Sequence, residues 1–205
     1  MKKFAYSGKL YYHYLRRTGL FSYLAGHSKK LLMLILIFVS VFFLIEKFII
    51  STKEIFDIII ANVASEFVFA LFFLSETILG LIPPDLFIMW GKGLGVSWEV
   101  NPWAIVGLLA CLSYLGGVAA FFIGRWLSGI EKINYFVNKK YEDLFLNLKK
   151  WGGFFVVVAA LLPLPFSLVT MMAGMTNFPL KPLVTLGLFR FLRFFLYAIF
   201  LFMLV

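Results

Sequence analysis

Cysteine and histidine are almost missing from this chain, which has one of the first and two of the second in 205 residues. The lone Cys111 cannot close an intrachain disulfide, and inside an apolar run it reads as packing rather than chemistry. His13 and His27 have no Cys, Asp or Glu at ligand spacing, so no metal centre is expected on them and both read as interfacial polar residues. Acidic charge is scarce as well, with 10 Asp and Glu against 19 Lys and Arg. No Ser, His and Asp set shares a common depth, which makes an enzyme the weakest class and leaves no cofactor to expect. What remains is apolar: 62% of the chain is hydrophobic and 14% is charged, the composition of an integral membrane protein folded as one compact unit without a separate soluble domain.

The net charge of +9 is not a nucleic-acid footprint, because much of it flanks apolar spans, where Lys and Arg set orientation and attract anionic lipid. Residues 1–30 interleave Lys2, Lys3, Lys9, Arg16, Arg17, Lys29 and Lys30 with seven aromatic residues, as suits a cytoplasmic segment lying on an anionic membrane face. Residues 31–50 form a first transmembrane helix, close to the ~20 apolar residues needed to cross. The long basic segment before it, and the lack of a small-residue cleavage site after it, favour a span over a signal peptide. The same basic segment predicts a cytoplasmic amino terminus in a plasma or bacterial inner membrane.

Residues 55–205 then read as one transport domain. Its most unusual stretch runs from Ser75 to Gly95, with two carboxylates, adjacent prolines and four glycines inside a membrane-grade hydrophobic region. Pro83 and Pro84 remove two backbone donors and crowd the preceding turn, so a helix should break there. Broken backbone at membrane depth survives only where protein or a wet cavity satisfies it. The expectation is a re-entrant helical hairpin over about 66–95, with Glu76 on the entering arm, Asp85 beside the tip and Gly91 among the break residues. Asn62, Glu66 and Glu76 fall on one stripe if the helix runs through, predicting a common inward face. Ionisable groups at that depth mark a substrate or proton path by default, so Glu76, Asp85 and Glu66 are the candidates for proton coupling, with structural hydrogen bonding as the alternative.

Pro102 can open a span over about 103–124, whose Gly107, Gly116 and Gly117 form a small-residue packing surface. Residues 131–150 pattern as an amphipathic helix on the cytoplasmic face. A second interrupted segment over about 152–178 carries Pro163, Pro165 and Gly174, the break residues of a second hairpin, and a last span runs over about 182–205. At a constant shift of eighty, Leu81-Ile82-Pro83 meets Leu161-Leu162-Pro163, Pro102 meets Pro182 and Gly107 meets Gly187. With only seven prolines in the chain, that agreement predicts an all-α inverted repeat in which two opposed re-entrant hairpins meet near the midplane. Arg190 and Arg193 lie near the middle of the last span and share a face; a guanidinium there needs a carboxylate, backbone carbonyls or a phosphate. They are the candidate phosphate-binding residues, the alternative being an ion pair with Glu66, Glu76 or Asp85 that only holds the fold.

In order and spacing, Glu76, Pro83-Pro84-Asp85, Gly91, Gly116-Gly117, Ile123-Gly124-Arg125, Trp151-Gly152-Gly153, Leu162-Pro163-Leu164-Pro165 and Ala173-Gly174-Met175 resemble the DedA family, also called the VTT or SNARE-associated Golgi protein family. The resemblance covers roughly 66–205. It implies opposed re-entrant hairpins and movement of lipids between leaflets: bacterial members are linked to undecaprenyl phosphate recycling or phosphatidylethanolamine flipping, often with dependence on the proton gradient, and eukaryotic relatives act as scramblases. One departure stands out. The family's second hairpin usually carries two arginines at positions that are Ala160 and Phe166 here. The expected function is a flippase or scramblase for a phosphate-bearing lipid, a polyprenyl phosphate or a glycerophospholipid. A coupled small-solute carrier and a non-transporting scaffold are the alternatives, and homo-oligomerisation is left open.

Overall fold

The computed structural model describes residues 10, 12–23, 25–26, 33, 40, 63–78, 80, 84–131, 139, 142–162 and 164–204. The chain divides into two compact units, Met1–Ile58 and Ile59–Val205. In the first, helical residues lie on either side of a turn at Thr18 and Gly19, where Gly19 takes φ 79° and the Thr18 hydroxyl donates to the carbonyl of Tyr14 at 2.9 Å. The predicted span over 31–50 falls outside the described residues apart from Met33 and Ser40, which are helical. The predicted amphipathic helix over 131–150 is likewise outside them between 132 and 138.

The second unit is all helical among the described residues: α1 (Ser65–Ile78), α2 (Pro84–Ser97), α3 (Pro102–Ser128), α4 (Glu142–Leu161), α5 (Phe166–Met175), α6 (Leu180–Gly187) and α7 (Phe189–Leu204). Among the described residues two stretches are long and apolar enough to cross a membrane, α3 and the nearly continuous α6–α7 from Leu180 to Met203. Pro102 stands at the start of α3, where its missing donor costs nothing, and the Asn101 side chain accepts from the amide of Trp103 at 3.0 Å.

α1 stops where Gly80, at φ 58°, turns its amide back onto the carbonyl of Ser75 at 2.6 Å. Only glycine takes that left-handed backbone without strain. α2 then begins at Pro84 and runs antiparallel to α1, because Phe69 meets Trp90 edge to face and Phe72 meets Phe87 at a tilt: three residues up one helix correspond to three down the other. Val68, Phe72 and Glu76, one turn apart each, line the buried face of α1.

The second half repeats this order. α4 is kinked at Trp151, whose φ of −125° leaves the helical region, and it ends before the break around Pro165 that opens α5. The turns that lead into the two long helices share one hydrogen-bond pattern. Trp98 donates to Leu94, Glu99 to Val96 and Val100 to Gly95, and the same three bonds recur as Thr176 to Met172, Asn177 to Gly174 and Phe178 to Ala173. The residue at positive φ is Glu99 in the first turn and Asn177 in the second. These turns are offset by seventy-eight residues, two fewer than the shift that aligns Pro102 with Pro182, and the helices that follow them start at Pro102 and Leu180.

Close backbone approach sets the centre of the unit. α3 crosses α5 at Gly124 and Gly174, and a Cβ on Gly124 would lie 1.9 Å from the carbonyl oxygen of Met171. Farther up, Gly117 leaves room for the Phe166 ring and Gly116 for the backbone of Glu76. Arg125 ties this end together, donating from Nη2 to the carbonyl of Phe178 at 2.9 Å with its guanidinium 4.6 Å from the Phe121 ring.

Candidate functional site

Because Gly116 lets α3 press onto the end of α1, Ser113, one turn earlier on α3, comes beneath the Glu76 carboxylate. α7 brings Arg190 to the same point. Ser113 donates from Oγ to Glu76 Oε2, Arg190 donates from Nη2 to the same oxygen, and Arg190 Nε donates to Ser113 Oγ at 2.7 Å. All three side chains are buried, at 3% exposure for Glu76, 0% for Ser113 and 2% for Arg190. At ~1.5 Å of rise per residue, Ser113 lies about 16 Å from the start of α3 and Arg190 about 15 Å from that of α6–α7, each near the middle of a stretch long enough to cross a membrane. A buried charge pair needs its members to compensate each other, and Ser113 bonds to both of them.

Arg193, one turn further along α7, donates from Nη1 to the carbonyl of Leu162 at 2.8 Å and stacks 5.0 Å from the Tyr197 ring. It therefore reaches the break between α4 and α5. The Arg190 guanidinium stands 4.9 Å from the ring of Phe166, the first residue of α5. Thus the two α7 arginines converge on the segment bounded by Ala160 and Phe166. Gly80 of the first break faces this segment as well, since a Cβ there would lie 3.4 Å from Ser167 Oγ and 3.7 Å from Glu76 Oε1.

The sequence reading needs three corrections here, at Glu66, Gly91 and Gly174. Glu66 is exposed in the first turn of α1, 200° around the helix from the buried Val68, and so does not share an inward face with Glu76. Gly91 and Gly174 are not break residues. Each lies within an intact helix where a neighbour closes in: a Cβ on Gly91 would stand 2.9 Å from Ile105 Cγ2, and one on Gly174 2.0 Å from the carbonyl oxygen of Phe121. Arg190 pairs with Glu76, the ion pair that the sequence reading held as its alternative to phosphate binding. The Asp85 side chain, Asn62, Pro83 and Pro163 lie outside the described residues. Pro84 opens α2 and Pro165 stands just ahead of α5, each at a helix start.

Ser113 and Ser167 escaped the sequence reading. For Ser113 a signal was present: it falls on the same i, i+3, i+4 stripe of α3 as Leu109, Gly116, Gly117 and Ala120. Among the described residues no group of His, Cys, Asp and Glu could hold a metal ion.

A family-wide profile described as the VTT domain matches residues 82–203, more than half of the chain. An uncharacterized protein of Methanocaldococcus jannaschii is 26% identical over 131 residues, covering 62% of this chain and 79% of its own length. No solved structure is significantly similar.

Proposed function

From the premise that this chain belongs to the VTT-domain family, which is membrane-associated and linked to lipid-related transport, we propose that it moves a phosphate-bearing lipid between leaflets as a flippase or scramblase. The observation that carries the reading is the buried Glu76–Ser113–Arg190 network at mid-depth, set against two helix breaks. A charge pair so placed is costly unless it serves a path, and a lipid headgroup crossing the bilayer needs polar partners near the midplane. Arg offers a forked donor set that matches phosphate, which Lys does not reproduce. In this reading α1–α2 and α4–α5 are re-entrant hairpins entering from opposite faces, and residues 55–205 form the transport domain. Glu76, at the centre of the network, is the residue through which this reading would couple transport to the proton gradient, with the Arg190 ion pair kept while the lipid phosphate is bound by the donors that the pair leaves free. Nothing in the proposal calls for covalent chemistry.

Reconstitution into liposomes tests it, with fluorescent glycerophospholipids and a polyprenyl phosphate analogue assayed separately. Arg190→Lys and Arg193→Lys should keep charge and accumulation while slowing transport by about tenfold or more, the usual scale for losing a charge-assisted contact. If both lysine variants transport as the parent does while alanine variants merely fail to accumulate, the arginines are structural. Transport of a water-soluble solute in place of lipid would favour a solute carrier, and no transport at all a scaffold.

Orientation is a separate expectation. We place the amino terminus and the stretch after α3 in the cytoplasm of a bacterial-type inner membrane, because Lys and Arg cluster there. α3 spans 27 residues, about 40 Å, so its two ends belong to opposite surfaces. In a Cys111→Ser background, a cysteine at Ser97 should react with an impermeant thiol reagent in intact cells and one at Lys139 should not. Equal labelling of the two would defeat the opposed-hairpin arrangement.

A further inference from the structure

We propose that the α4–α5 break carries an oxyanion subsite matched to a single negative charge, so that the protein selects a phosphodiester headgroup over a phosphomonoester one. The identity of the ligand as a lipid rests on the transport reading above; the charge preference rests on the geometry. Arg190 Nη1, Arg193 Nε and Ser167 Oγ are buried and have no hydrogen-bond partner among the described residues. Their side chains, from α5 and α7, each border the α4–α5 break. Ser167 is the second residue of α5, Arg190 stands over its neighbour Phe166, and Arg193 is tied to the Leu162 carbonyl across the break. The ten-residue α5 begins at Pro165 with no side-chain cap, so its first amides present the positive end of a helix to the same spot. Unpartnered donors from Arg190, Arg193 and Ser167 and the first amides of α5 therefore all border the same break, and phosphate oxygens are acceptors that could take them. Leu162 is 44% exposed, which puts the subsite one layer beneath the surface of the break.

The charge balance decides which phosphate. Glu76 cancels Arg190 within their ion pair, and Arg193 has no carboxylate partner among the described residues, leaving one net positive charge. A phosphodiester brings one negative charge and is neutralised. A phosphomonoester brings nearly two above its second ionisation, and the excess charge would be buried without a counterion. Ser167 adds a donor without charge and so raises affinity without setting the preference.

The test uses phosphatidylglycerol and phosphatidic acid with identical acyl chains, above the second ionisation of the monoester. Binding to the purified full chain in detergent is read by native mass spectrometry, and transport separately in liposomes. The parent protein should bind the diester about tenfold more tightly or better, the scale of one uncompensated charge in a partly screened interior. Glu76→Gln keeps an oxygen for Ser113 and Arg190 but raises the net charge to two, so its preference should move toward phosphatidic acid by a similar factor. Arg193→Gln should lower diester binding about tenfold, and Ser167→Ala should lower both lipids equally. Equal binding of the two lipids by the parent, an unchanged ratio in Glu76→Gln, or undiminished diester binding in Arg193→Gln would each overturn the proposal. Diester-selective binding without transport would sink the transport reading alone; transport without selectivity would sink only the charge-matched subsite.

Discussion

Arg190→Met should be among the most damaging single substitutions in the chain, and Arg190→Met combined with Glu76→Gln should recover much of the loss. With the guanidinium gone, Glu76 keeps only the Ser113 hydroxyl while remaining 3% exposed at mid-depth. An uncompensated buried carboxylate of this kind costs about 3–5 kcal/mol. Neutralising Glu76 in the same chain removes the orphaned charge, and the amide that replaces it can still accept from Ser113. Glu76→Gln alone is milder, since the amide oxygen still takes the Arg190 hydrogen bond. The yield of monodisperse protein in mild detergent and its unfolding midpoint measure all three variants. If the double variant is no more stable than Arg190→Met, the two side chains are not energetically coupled and the pair is incidental to the fold.

How far the sequence disclosed this arrangement depended on the kind of signal. Periods and punctuation were legible: an apolar run after Pro102, another around Arg190, and proline-marked interruptions before each predicted α3 and α6–α7 as helices long enough to cross a membrane, and the structure has them. The prolines suggested a repeat at a shift of eighty, whereas the two turns that share a hydrogen-bond pattern are offset by seventy-eight residues. Backbone hydrogen bonds, not prolines, define those turns, and the helix after the second starts at Leu180, two residues before Pro182.

Glycine was harder to read, because one residue type serves two opposite purposes. Gly80 ends a helix through its positive φ, whereas Gly91, Gly116, Gly117, Gly124 and Gly174 sit within helices where another element comes too close for a Cβ. Nothing local separates these uses. The distinction is tertiary, and so is the choice of Arg190 as the partner of Glu76: the two are 114 residues apart, and only the packing of α3 against α1 and α7 brings them together. For Glu66 the stripe was drawn too wide, taking in a residue that the register of Val68, Phe72 and Glu76 leaves outside.

Gly124→Ala and Gly174→Ala should each abolish accumulation of folded protein, whereas Gly107→Ala on the same α3 should be nearly silent. The Cβ added at Gly124 would lie 1.9 Å from the Met171 carbonyl oxygen, and that at Gly174 would lie 2.0 Å from the Phe121 carbonyl oxygen. Both obstacles are backbone, so no rotamer change relieves them and the α3–α5 crossing itself must open. Overpacking against movable side chains costs about 1–3 kcal/mol, and a clash with helix backbone should cost more. The opening would not stay local. Two turns up α3 from Gly124 the Phe166 ring fills the space left by Gly117, and Phe166 carries the stacked Arg190, so separating the helices withdraws α5 from the buried charge pair. Gly107 has nothing within 4 Å of its would-be Cβ, and alanine there raises helix propensity by roughly 1 kcal/mol. Fluorescence-detected size exclusion of tagged variants, with unfolding midpoints for those that survive, decides the matter. Should Gly124→Ala elute and unfold like Gly107→Ala, the helices do not cross as closely as described, and the route by which α3 holds α5 against Arg190 would have to be given up.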